Sequence, residues 1–155
     1  MSPRFLLDGM LGSLTRWLRI SGYDSEYRRD TDDNDLIQEA DREGRILVTR
    51  DKELFQRAKK RDVEAILVES DKDAEQLSEV ARKIGLVLEP RESRCPKCNG
   101  LLVQKEKFLI KGKVPASSLE AFNEFWVCES CGSVYWKGSH WNQIRLTIEN
   151  ARETE

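Results

Sequence analysis

No apolar run in this chain reaches the roughly 18 residues that a bilayer-spanning helix needs, so no membrane-embedded segment is expected. The opening stretch Met1-Ser-Pro-Arg-Phe-Leu-Leu-Asp8 meets a carboxylate too early for a secretory signal, and a cytoplasmic protein is expected. A strong excess of one charge is missing too: the formal net charge is -2. Residues 1–89 carry 16 Lys and Arg against 20 Asp and Glu, and residues 90–155 carry 10 against 8. Neither half has the broadly basic footprint of a protein that holds nucleic acid by charge alone. There is no internal repeat except one doubled cysteine motif. What remains is ordinary globular material. Apolar residues make up 39% of the 155, enough for a packed core and too many for a disordered chain.

Cysteine is just as sparse, and all of it is organised. The four cysteines form two pairs, Cys95-Pro-Lys-Cys98 and Cys128-Glu-Ser-Cys131. In a reducing compartment, paired C-x-x-C motifs favour a metal over disulfides. Two such turns supply the four thiolates of a tetrahedral structural zinc site. Asn99 and Gly132 follow the pairs, where a left-handed backbone is needed for amides to curl toward sulfur. The 29 residues between the pairs exceed the usual spacing of about 15–20, but each doubling of a loop costs only about 0.6 kcal/mol. The rival is a pair of redox dithiols. Neither pair follows a strand-to-helix turn, which disfavours it. Cys95, Cys98, Cys128 and Cys131 are therefore the expected zinc ligands, and a site closed by four thiolates leaves no position for reactive water.

The cysteine-free first ninety residues have an α/β rhythm. Short strand-like runs at Arg4–Asp8, Ile46–Thr49 and Ala65–Val68, with a further candidate strand at 23–27, alternate with amphipathic stretches. Leu11, Leu14, Trp17, Leu18 and Ser21 recur at helical spacing, with Arg16 and Arg19 off that stripe. Continuously apolar strands imply a parallel sheet covered by helices on both faces. Residues 90–94 read as a linker, so the expected units are an α/β domain at 1–89 and a small cysteine module with a final helix at 90–155. The segment 101–114 reads as a hairpin or long strand. An apolar stripe of Trp141, Ile144 and Ile148 marks the last helix.

In an open parallel sheet, ligands bind beyond the carboxyl ends of the strands. Asp8, Asp51 and Asp71 follow three of the strands, and Asp30, Asp32, Asp33 and Asp35 lead into the helix after another. Carboxylates gathered at one edge repel each other unless a cation neutralises them. Hard oxygen ligands suit Mg²⁺ or Mn²⁺, which can activate water and stabilise a leaving oxygen in phosphodiester cleavage. The plainer alternative is that such residues form turns and cap helices; it weighs most on Asp33, Asp35 and Asp71. Arg16 and Arg50 can each hold a phosphate in bidentate fashion or simply cover apolar surface.

Several of these stretches resemble a known family. Leu7-Asp8-Gly9-Met10-Leu11-Gly12, Thr15-Arg16-Trp17-Leu18-Arg19 and Ile46-Leu-Val-Thr-Arg-Asp51 are similar to the PIN-type ribonuclease domain named for the C-terminus of the Mut-seven exonucleases. Ser93-Arg94-Cys95-Pro-Lys-Cys98-Asn-Gly100 and Val134-Tyr-Trp-Lys-Gly-Ser-His-Trp141 extend the resemblance to roughly residues 4–145. It implies a PIN-like α/β domain fused to a four-cysteine zinc ribbon, and a metal-dependent nuclease acting on RNA. Asp8 matches the first acid of the family pattern and Asp51 the later one. Asp33 or Asp35 must fill the intermediate place, and Asp71 is a candidate for the last. A homodimer is compatible with the resemblance.

RNA contacts are expected from the cysteine module. Lys105, Lys107, Lys111 and Lys113 would share one face of a strand, as a phosphate-tracking stripe or a solvated surface. Tyr135, Trp136 and Trp141 can stack on unpaired bases or serve as the ribbon's own core. His140, the one histidine, lies outside both cysteine pairs and reads as a polar or phosphate contact rather than a zinc ligand. Two rival functions stay in view: a non-catalytic RNA-binding or assembly module with the same fold, and a phosphoryl-receiver-like protein.

Overall fold

The computed structural model describes residues 2–89 and 93–153. Four short strands, β1 (Phe5–Leu7), β2 (Ser25–Tyr27), β3 (Ile46–Thr49) and β4 (Ala65–Leu67), form one parallel sheet in the order β2-β1-β3-β4. Leu7 pairs with Tyr27 on one side and Val48 on the other, so β1 is central. All three side chains of β1 are inaccessible to solvent. They can be, because each sheet face is covered.

Alternation along the strands sorts the core into two layers. Phe5, Leu7, Ile46, Val48 and Ile66 face helices α1 (Gly12–Ile20) and α4 (Asp73–Ile84). Leu6, Leu47 and Ala65 face α2 (Asp33–Glu43) and α3 (Lys52–Lys60) through Leu36, Ile37, Leu54 and Ala58. Each fully buried Leu or Phe contributes about 1.5–3 kcal/mol. These two apolar layers, rather than intrinsic propensity, hold strands of three or four residues in place.

The cysteine module builds an antiparallel sheet of β5 (Leu102–Lys105), β6 (Phe125–Cys128) and β7 (Val134–Tyr135) in the order β5-β6-β7. Phe125 is fully buried beneath it with Ile110 and Val114. The stretch expected to be a hairpin or long strand is different. After β5 the chain turns into α5 (Lys107–Ile110), which drops Ile110 into that small core. The strand ends at Lys105, so Lys105, Lys107, Lys111 and Lys113 do not share a strand face. A second short helix, α6 (Ala116–Ala121), precedes β6.

The last helix, α7 (Trp141–Glu153), leaves the ribbon and packs on α4. Its Ile148 and Ala151 are buried in the same cluster as Leu77 and Val80. Of the expected linker, residues 90–92 lie outside the described residues. Among the described residues, no helix is long and apolar enough to cross a membrane.

The ribbon is joined to the sheet by polar side chains as well. Asn99, buried in the first cysteine turn, accepts from the Ser25 amide at 3.0 Å and donates to Asp24 at 2.7 Å and Glu26 at 3.1 Å. Arg19 was expected outside the helix's inner stripe. It is instead buried, donating to the carbonyls of Ser25 at 2.8 Å and Pro96 at 2.9 Å. The ribbon supplies the cover that an isolated α1 would lack. Burial pulls the Arg19 guanidinium below its ordinary pKa, with Glu26 opposing that shift; an arginine stays charged through such a change.

Candidate active site and thiolate centre

Strands β1 and β3 are neighbours, but the helices that follow them cover opposite faces. That is a topological switch point, where a crevice opens beyond the carboxyl ends. Asp8 directly follows β1 at this place and is only 8% exposed. Its Oδ1 accepts from the Met10 amide at 3.2 Å, and its Oδ2 accepts from the Thr49 hydroxyl. Thr49, at the end of β3, is fully buried. Its Oγ1 also accepts from the Asp51 amide at 3.0 Å. One hydroxyl thus donates to the first acid and fixes the backbone of the second.

Asp51 itself caps α3. Its Oδ1 accepts from the amides of Glu53 at 2.9 Å and Leu54 at 3.3 Å. Capping fixes the carboxylate's orientation without engaging Oδ2 in those bonds. Beside it, a cavity of about 370 Å³ beyond β3 and β4 is lined by Arg50, Lys52, Leu67, Val68 and Glu69. Two cations therefore flank Asp51. Arg50 donates from Nη2 to the Glu69 carbonyl at 3.3 Å.

The remaining acids are placed less tightly. Asp33 and Asp35 lie in the first turn of α2, at the same sheet edge. Asp33 pairs with Arg57 Nη1 at 3.2 Å, and Arg57 also donates to Asn34. Asp35 is exposed, and so is Asp71 in the loop before α4. Arg16 is exposed on α1. Mg²⁺ and Mn²⁺ need only one or two protein carboxylates and keep several waters; Asp8 and Asp51 are hard oxygen donors of that kind after adjacent strands.

The four thiols make a second centre. All four Sγ atoms lie within 4.8 Å of one another, with Cys95 and Cys131 at 3.8 Å and Cys98 and Cys128 at 3.4 Å. A tetrahedron with Zn–S bonds of about 2.3 Å has edges near 3.8 Å, so the donor set fits zinc. Asn99 and Gly132 take φ of 72° and 78°, the left-handed backbone expected after each pair. Gly100 is required for another reason: a Cβ there would sit 2.6 Å from Cys128 Sγ. Burial pushes the Cys98 thiol up to about 12. Hydrogen bonding with Ser133 draws Cys131 down to about 6. Among the described residues, no group of three carboxylates closes in the same way.

The expected RNA contacts are scattered. Lys105 ends β5, Lys107 begins α5, and His140 is exposed just ahead of α7. Trp136 packs at 5.8 Å, tilted, on the buried Phe125, which favours the ribbon-core reading of this residue. Sequence reasoning missed Thr49 as the link between the acids, although it stood in the quoted Thr49-Arg50-Asp51. It also missed Asn99, Arg19 and Arg57, whose partners are remote in sequence.

The architecture therefore defines an α/β domain with acids at its switch point, joined to a ribbon with four thiols clustered at metal-ligand spacing. Residues 3–148 match the Mut7-C RNAse domain, and the chain belongs to that family. No curated protein and no solved structure matches it.

Proposed function

We propose that this protein is a metal-dependent ribonuclease that hydrolyses phosphodiester bonds at the carboxyl edge of its parallel sheet. The observation that carries this reading is the linkage of Asp8 and Asp51 through the Thr49 hydroxyl at the switch point. Asp8 and Asp51 would hold Mg²⁺ or Mn²⁺, and Asp35, Asp33 or Asp71 would complete the acidic set. When bound, such an ion supplies an activated water and neutralises charge on the leaving oxygen.

The chain's own residues do the rest. Thr49 orients Asp8 by donating its hydroxyl to Oδ2. The α3 cap holds Asp51 at a fixed angle. Arg50 and Lys52 draw the scissile phosphate to the cavity beside Asp51, and Arg16 meets the backbone farther along α1. A zinc ion held by Cys95, Cys98, Cys128 and Cys131 would brace the ribbon and, surrounded by four thiolates, would take no part in the reaction.

Two observations favour a second reading, a non-catalytic RNA-binding module: Asp33 is paired with Arg57 and Asp51 is engaged as a cap. Calorimetric titration with Mn²⁺ separates the two. A divalent site lost in Asp8→Asn supports the nuclease; RNA binding without any divalent site supports the module.

A further inference from the structure

A second cavity, of about 360 Å³, lies at the far end of α1 from Asp8. Trp126 and Tyr135 line it from the ribbon strands, Trp136 from the segment after β7, and Trp141 from the start of α7, while Ile20 closes it from α1. Its volume falls in the lower part of the range of small-ligand pockets, about 300–1,000 Å³. One wall is fixed from behind, because the Tyr135 hydroxyl lies 3.0 Å from Cys95 Sγ in the thiolate centre.

Charge decides what such a cavity can take. Lys137 holds its ammonium 4.9 Å from the ring centre of Trp141 and 5.8 Å from that of Trp126. Arg94, with Asp24 3.9 Å away, is also in the wall, and among the described residues no lining residue is acidic. A protein cation already occupies the position over the indole faces that a quaternary ammonium ligand would need. A second cation would be repelled there, and an anion attracted. Aromatic walls with a cation at hand suit a flat ring joined to a negatively charged group.

We infer that this cavity seats an unpaired nucleobase of an RNA strand, with Lys137 against the adjoining phosphate. The choice of RNA rests on the ribonuclease reading above; the cavity's preference for a flat ring joined to an anion does not. The cavity also has a fixed place relative to the acids. Ile20 and Arg16 are one helical turn apart on the same face of α1, and α1 begins in the turn that carries Asp8. Nine residues of helix span about 13 Å. A strand anchored in the cavity runs along α1 past Arg16 to reach Asp8 and Asp51.

The test uses the whole 155-residue, zinc-loaded Asp8→Asn chain without added Mg²⁺ or Mn²⁺, so that cleavage plays no part. Tryptophan fluorescence is followed during titration with adenosine 5′-monophosphate, adenosine and trimethyl-lysine. The monophosphate should quench saturably and bind about tenfold more tightly than adenosine, reflecting one charge-assisted contact. Lys137→Glu should erase that difference. Trp141→Ala should weaken binding by about tenfold, the loss of one stacking partner, with zinc content unchanged. If Trp141→Ala loses its zinc, Lys137→Glu decides. Absence of saturable quenching by the monophosphate, equal binding by Lys137→Glu, or tighter binding of trimethyl-lysine overturns the assignment. Nucleotide binding in a chain that never cleaves RNA would leave this cavity assigned and remove the ribonuclease reading alone.

Discussion

Asn99 Nδ2 donates to Asp24 Oδ1 at 2.7 Å, although the two residues are 75 positions apart in the chain. The same side chain accepts from the Ser25 amide at 3.0 Å. The first cysteine turn is thereby fastened to the amino end of edge strand β2, and the ribbon sits at the end of the sheet opposite Asp8. Replacing Asn99 with Ala leaves the Ser25 amide without its partner and puts a less tolerant residue at φ of 72°. A loss of about 2–3 kcal/mol in urea unfolding is expected, from the unsatisfied donor and the left-handed backbone together. Asn99→Gly should cost less, since it removes the hydrogen bonds and keeps the backbone unstrained.

Acid should weaken the same joint. Burial works against the charge on Asp24, but hydrogen bonds from Arg45 and Asn99 prevail and hold its pKa below the ordinary value. A carboxylate whose folded pKa is depressed stabilises the fold above its unfolded pKa, about 3.9. That contribution disappears as pH falls through the still lower folded value. The stability gap between wild type and Asp24→Asn should therefore be constant from about pH 5 to 7 and shrink below about pH 4. Denaturant titrations of both proteins across that range check it.

Gly100→Ala should damage the thiolate centre directly. The added methyl would lie 2.6 Å from Cys128 Sγ and 2.8 Å from Ser130 Oγ. Metal content measured by mass spectrometry should fall well below one zinc per chain. The α/β domain should keep most of its helical circular dichroism, because the core layer of Leu6, Leu47 and Ala65 against α2 and α3 takes no residue from the ribbon or α7.

How far the residue order foretold this arrangement depended on the range of each interaction. The strands at Phe5–Leu7 and Ile46–Thr49, and the inner stripes of the helices, are local patterns imposed by burial, and they stand where periodicity placed them. The convergence of four thiols followed from spacing alone. The segment 101–114 misled because its lysines alternate as on a strand, whereas burial of Ile110 beside Phe125 draws it into a helical turn. Arg19 and Asn99 were invisible for the opposite reason: their partners are supplied by distant segments. Asp8 was legible from the apolar run before it and the glycine after it. The grip of Thr49 on Asp8 required knowing that β1 and β3 are neighbours.

Thr49→Val offers a test of that grip. Valine keeps the shape and removes the hydroxyl that donates to Asp8 and accepts from the Asp51 amide. Cleavage should slow by about tenfold, the worth of one hydrogen bond to a charged group, while Thr49→Ser restores most of the rate. A Thr49→Val protein as fast as wild type would remove Thr49 from the positioning role.

The most direct test of the account is single-turnover cleavage of a mixed RNA pool in Mn²⁺ by wild type and by Asp8→Asn, with equal zinc content confirmed for both. Asp8→Asn should be slower by at least about a hundredfold, equivalent to about 2.7 kcal/mol of lost transition-state stabilisation. Equal cleavage by the two proteins, or no cleavage by wild type in Mn²⁺ or Mg²⁺, would contradict it.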